Sequence, residues 1–292
     1  MIVVKLQGGL GNQMFQYAAG KALALERKTG LTLDHGFLED RTSNLTHVFR
    51  NFDLSIFVMS TRRAKQRDLE LFFKKWPAWK ARGVQLGILR PHVTVVEPYF
   101  HFFNELQGIK GHLYLDGYWQ SPKYFKAIEN ELRSDFCFRE PILPVSHELL
   151  SQIKSSEAVC LNVRRGDFLK NEFHPVCSLA YYKSAIAIAS QNLVNPHFFV
   201  FSDDKEWCRH YLGHLPATTV VGEIHNGERY SNYLQLMAAC RHFIIPNSSY
   251  AWWAVWLANQ KDNLVIAPSV WFSDPTWDTR DLVLPYWLRL PN

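Results

Sequence analysis

Long apolar runs are missing from this chain of 292 residues. No stretch approaches the roughly 18 uncharged apolar residues of a membrane span. The apolar start, Met1–Leu6, is short and has no basic leader. No secretory signal is expected, and the expected address is the cytoplasm. Cysteine is sparse: five residues, an odd number, with no CxxC spacing. That argues against a disulfide framework or a zinc site and favours a reducing compartment. The twelve histidines show no metal-ligand spacing. GK[ST], HExxH and GxSxG are all absent. So is any carboxylate pair in a glycosidase context. No internal repeat or low-complexity tract occurs.

What is present is an ordinary globular composition, 47% apolar and 20% charged. The length suits two domains or one large α/β domain. The net charge of +5 fits a polyanionic ligand such as a nucleotide diphosphate. It is too small and too dispersed to indicate nucleic acid, and no nucleic-acid partner is expected.

The chain opens β-loop-α-β. Ile2–Leu6 reads as a buried strand, Gln13–Lys28 as a helix with one apolar stripe, and Leu31–Asp34 as the next strand. The stretch from Phe37 to Phe103 is less regular, rich in aromatic and basic residues. Leu113–Leu115 reads as a strand and Lys123–Phe136 as a helix. Pro141 and Pro144 mark a linker. Beyond it, strands are expected at Ala158–Val163, His197–Ser202, Thr218–Val221, His242–Pro246 and Leu264–Ala267. Helices are expected at Leu179–Gln191, Lys205–Leu212, Tyr230–Cys240 and Tyr250–Ala258. Repeated βα alternation predicts parallel sheets, with ligands at the carboxyl ends of the strands.

Four constellations fall just after strands. Gly8-Gly9-Leu10-Gly11-Asn12-Gln13 joins a strand to a helix. It reads either as a plain turn or as a close approach for a ligand at a helix start. Asn162-Val163-Arg164-Arg165-Gly166-Asp167 can fork onto a phosphate pair, or it can be a surface Arg-Asp pair worth little. Ser202-Asp203-Asp204 has three readings: a helix cap for Asp204, recognition of a base by Asp203, or a metal site. Asn247-Ser248-Ser249 precedes a helix and is either a serine cap or an anion site. Trp252, Trp253 and Trp256 fall on helical spacing and read as packing rather than sugar stacking.

These segments together are specific. GGLGNQMFQYA at Gly8–Ala18, DGYWQ at Asp116–Gln120, VRRGDF at Val163–Phe168, HPVCS at His174–Ser178, FSDD at Phe201–Asp204 and NSSYAWWAVWL at Asn247–Leu257 occur in that order. The chain thereby resembles the bacterial α1,2-fucosyltransferases of glycosyltransferase family 11, over nearly its whole length. The resemblance implies a GT-B-like α/β fold of two facing Rossmann-like domains with parallel sheets. The domains would be an acceptor-side domain over 1–145 and a GDP-fucose-binding domain over 146–292. It implies inverting transfer of L-fucose from GDP-fucose to O2 of a terminal galactose, with no metal. Arg164 would contact the β-phosphate. Arg165 and Asp167 would support the loop, Asp203 would face the guanine, and Ser248 and Ser249, with Asn247, would cradle the phosphates. Gly9, Gly11, Asn12 and Gln13 would line the cleft. The family usually has histidine where Asn162 stands. An amide still donates and accepts, but ring stacking and protonation are lost.

No strong catalytic base emerges. Asn12 can orient a hydroxyl but cannot ionise, and Asp34, with His35 beside it, either reaches the cleft or pairs locally. A transferase for another GDP-sugar and a non-catalytic nucleotide- or glycan-binding protein stand as alternatives. The basic, aromatic stretch Phe72–Arg90 carries Lys74, Lys75, Lys80, Arg82 and Arg90. It reads as a solvated helix pair or as a peripheral membrane contact serving a lipid-linked saccharide acceptor.

Overall fold

The computed structural model describes residues 1–41, 50–74, 77–170 and 172–292. Lys75 of the basic stretch lies outside the described residues. The chain forms two compact units, Met1–Cys137 and Phe138–Asn292.

The first unit is built on four parallel strands: β1 Ile2–Lys5, β2 Leu31–Asp34, β3 His92–Val96 and β4 His112–Asp116. Their order is β2-β1-β4-β3. Ile2, Val3 and Val4 are fully buried, as expected of a parallel strand covered on both faces. The crossover helix, Leu10–Glu26, begins three residues before the expected start and takes Gly11 into its first turn. Gly20 lets this helix close onto β1: a Cβ there would stand 2.3 Å from Val4 Cγ2.

Two expectations fail in this unit. Strand β3 lies hidden in the stretch read as irregular. The expected helix Lys123–Phe136 breaks into 3-10 turns at Pro122–Tyr124 and Lys126–Ile128, followed by a helix only at Glu129–Asp135. Phe125 and Ile128 stand at non-helical φ of −127° and −120°. Both are buried; core packing overrides local helix preference there.

The second unit holds β5 Glu157–Val163, β6 Pro196–Ser202, β7 Thr218–Val220, β8 His242–Ile244, β9 Val265–Pro268 and β10 Leu288–Leu290. All are parallel, in the order β10-β9-β8-β5-β6-β7. Counted from β5 this is 3-2-1-4-5-6, the order of the dinucleotide-binding fold. The strand order therefore reverses between β5 and β8. Helices Leu179–Asn192, Lys205–Tyr211, Ser231–Ala238 and Ser249–Ala258 form four of the connections. The short strand β10 and helix His147–Ser155 were not foreseen. Trp252 and Trp253 are fully buried, which supports the packing reading, and Trp252 Nε1 donates to the Leu282 carbonyl at 2.8 Å.

Candidate active site

In an open α/β sheet, ligands bind outside the carboxyl ends of the strands at the point where the order reverses. In the second unit that point gathers the turns after β5 and β8, with the turn after β6 alongside. Arg164-Arg165 follows β5, Asp203-Asp204 follows β6, and Asn247-Ser248-Ser249 follows β8.

The arginine loop is tied to acids. Arg164 bridges Asp203 Oδ2 at 2.8 Å and Asp167 Oδ1 at 2.5 Å, with its guanidinium 5.5 Å above the Phe168 ring. Phe168 stacks in turn on His174, whose burial lowers its pKa. Arg165 Nε reaches Asp204 Oδ2 at 3.1 Å, and its guanidinium lies 4.4 Å over Trp207. The Arg165 backbone N–H donates to Asp203 Oδ1 at 2.9 Å. Gly166 makes room for this arrangement: a Cβ there would meet Asp203 Oδ2 at 2.7 Å. Arg164 is thus aimed, and a guanidinium has five N–H donors, so several remain for an incoming anion.

Asp204 caps helix Lys205–Tyr211 by accepting from Trp207 N–H at 3.1 Å, as the cap reading expected. Ser248 sits at the N-cap of helix Ser249–Ala258, but its hydroxyl makes no capping bond. The simple serine-cap reading therefore fails, and the positive end of the helix dipole faces the reversal point. Asn247 and Asn162 are spent inside the fold. Asn247 Nδ2 donates to the Trp271 carbonyl at 2.8 Å, and Asn162 Nδ2 donates to the Phe201 carbonyl at 3.0 Å. Both are buried. A polar cavity of about 370 Å³ opens beside Asp203 and Asp204, lined also by Lys205, Glu223, Asn226 and Tyr230. Among the described residues, no three or more His, Cys, Asp or Glu side chains converge as metal ligands would.

In the first unit, Gly8 holds a positive φ of 78° and Gly9 is the N-cap of helix Leu10–Glu26. Asn12 Oδ1 accepts from Gln120 Nε2 at 2.9 Å, joining the turns that follow the paired strands β1 and β4. Gln13 is fully buried. Its amide donates to the carbonyls of Gly8 and Asn51 and accepts from Asp53 N–H; it builds the loop rather than facing a ligand. Asp34 pairs locally: Oδ2 accepts from the Tyr114 hydroxyl at 2.7 Å and Oδ1 from Gly36 N–H at 2.9 Å. His35 stacks on Phe52, and burial lowers its pKa. Sequence reasoning missed Glu97, which follows β3, because β3 itself was not read.

The fold and this site define a Rossmann-type protein with a forked cation and a helix start at the carboxyl edge of its sheet. The chain belongs to glycosyl transferase family 11, whose profile matches residues 1–290. It is 31% identical to an alpha-1,2-colitosyltransferase of Escherichia coli, over 99% of each chain. It is 28% identical to the O-antigen biosynthesis glycosyltransferase WbnK of Escherichia coli, over 98% of this chain and 99% of that one. The fold is similar to that of the fucosyltransferase NodZ from Bradyrhizobium, with a TM-score of 0.51 at 15% identity, covering 87% of this chain and 92% of the other. The fold is thus α/β of the GT-B kind, with two Rossmann-like parallel sheets.

Proposed function

We propose that the protein transfers L-fucose from GDP-β-L-fucose to O2 of a terminal galactose, inverting the anomeric centre without a metal. One observation carries this: the forked Arg164 and the helix start at Ser248-Ser249 follow the two strands that flank the reversal point of a dinucleotide-type sheet in a family 11 chain. The ordered motifs of the family and the α1,2 linkage in a relative's name support the linkage.

In this reading the second unit binds the donor. Arg164 and the N–H groups at Ser248-Ser249 take up the charge that grows on the leaving diphosphate. Arg165 and Asp167 hold the loop, and the cavity beside Asp203 takes the guanine. The first unit receives the acceptor, with Gly9, Gly11 and Asn12 at its edge. A relative at 31% identity named for colitose, a 3-deoxy form of fucose, favours GDP-colitose as the second reading.

The test is GDP release and product linkage with both donors and galactose-terminated glycans, with and without EDTA. GDP-fucose is expected to give an α1,2-fucosyl galactoside at a rate EDTA does not change. Turnover of GDP-colitose alone would establish the second reading. Loss of activity in EDTA, restored by Mn²⁺, would return Asp203 and Asp204 to a metal role. No GDP release with either donor would leave a nucleotide- or glycan-binding protein.

The acceptor is proposed to be lipid-linked and met at the inner face of the cytoplasmic membrane. No described helix is long and apolar enough to cross a membrane. Helix Ala78–Gln85 has no buried residue, and Phe73, Trp79, Leu86 and Ile88 around it are each at least 59% exposed. No acid occurs between Glu70 and Glu97, so every charged side chain within this stretch is basic, suited to anionic headgroups. Vesicles with phosphatidylglycerol should sediment the purified protein at low salt, and phosphatidylcholine vesicles should not. The double variant Trp79→Ala, Lys80→Glu should lose most of that binding. Equal sedimentation of wild type and variant would remove the membrane assignment.

A further inference from the structure

Inverting transfer needs a base for the acceptor hydroxyl, and the carboxyl edge of the first sheet offers three carboxylates. Asp34, at the end of β2, is held by the Tyr114 hydroxyl and the Gly36 N–H. Asp116, at the end of β4, is bound by Lys5 at 3.0 Å and 3.1 Å. Glu97, after β3, makes no ion pair among the described residues. Oε2 accepts from Tyr118 N–H at 2.6 Å and Oε1 from Trp119 N–H at 3.0 Å.

The chain is bent to make that seat. Gly117 must lack a side chain, because a Cβ would stand 2.4 Å from Glu97 Cβ and 2.7 Å from Oε2. Trp119 holds a positive φ of 55°, rare for a bulky residue, and its ring is fully buried. Gln120, next in the chain, binds Asn12. One tight turn thus fixes both the carboxylate and the amide that borders the glycine loop.

We propose that Glu97 is the catalytic base of the transfer, resting on the reading of the protein as an inverting fucosyltransferase. Each carboxylate oxygen accepts one backbone N–H and keeps a second lone pair for an O–H. The acceptor oxygen bonds to the fucose anomeric carbon as the bond from that carbon to the β-phosphate oxygen breaks. The electron pair leaves with GDP, the hydroxyl proton passes to Glu97, and solvent later removes it. Burial pushes Glu97 up to about 7, against the two N–H bonds, which pull it down; a base near neutrality suits such a step. The titratable group beside it is the Tyr118 phenol, raised by burial and then by Glu97 and Asp116. Asp116 itself is held by Lys5.

The test compares wild type with Glu97→Gln and Glu97→Asp. The wild-type kcat should fall as pH drops through about 7, because the protonated carboxyl cannot accept. Glu97→Gln should lower kcat by roughly 10²–10⁴-fold and lose that limb, with the dissociation constant for GDP unchanged as the sign of an intact fold. Glu97→Asp should keep part of the activity and shift the limb. A wild-type kcat flat from pH 5.5 to 8.5, or a Glu97→Gln kcat within threefold of wild type, overturns the assignment. Wild-type protein inactive with every GDP-sugar would instead overturn the fucosyltransferase reading, so the two failures are distinct.

Discussion

Arg164→Ala is expected to lower fucosyl turnover by roughly 10²–10³-fold, the loss typical of removing one preorganised donor from a developing oxyanion. The substitution removes the fork that bridges Asp167 and Asp203. Those two carboxylates are partly solvated, at 25% and 20% exposure, so losing the bridges to Arg164 costs the fold about 1 kcal/mol or less. Activity and stability should therefore separate: a near-native urea midpoint with almost no GDP release. Arg164→Lys should recover little, since an ammonium has no planar fork. Near-normal turnover of a folded Arg164→Ala protein would remove the donor-site assignment.

Gly111→Ala should unfold the first unit far more easily while touching no proposed site residue. Gly111 holds φ of 105° just before β4, and an added Cβ would stand 2.4 Å from the Pro91 carbonyl oxygen. That oxygen cannot yield, because it accepts the first bond of the β3–β4 edge, from His112 N–H at 2.8 Å. The unfavourable φ costs about 1–3 kcal/mol, and overpacking adds about 1–3 kcal/mol. Gly108→Ala, three residues earlier with open space around its Cβ position, is the control and should be close to neutral. Urea denaturation of the pair measures the difference, and equal midpoints would refute the steric argument.

The second unit was legible because its strands are apolar runs closed by turn residues, with helices between. The turns that carry Arg164, Asp203 and Ser248 were therefore placed correctly at strand ends. Three amides misled for one reason: Asn162, Asn247 and Gln13 flank motifs that look ligand-facing, yet each is buried and donates its amide to a backbone carbonyl. Sequence pattern does not reveal which way a side chain turns at a strand end. Strand β3 was obscured by its surroundings, a basic and aromatic stretch interrupted by Pro91, and with it went Glu97. The helix expected over Lys123–Phe136 failed because burial of Phe125 and Ile128 outweighs propensity.

Gly166 and Gly117 share a role in separate units: each leaves a notch that an acid from the neighbouring strand end fills, Asp203 in one and Glu97 in the other. Such a pair can drift in one order only. A side chain gained at the glycine evicts the acid, whereas loss of the acid first leaves the notch filled by nothing and the glycine merely permissive. Descendants of this chain should therefore shed the acid before the glycine, and a lineage that has abandoned the chemistry would carry the bare notch as its trace.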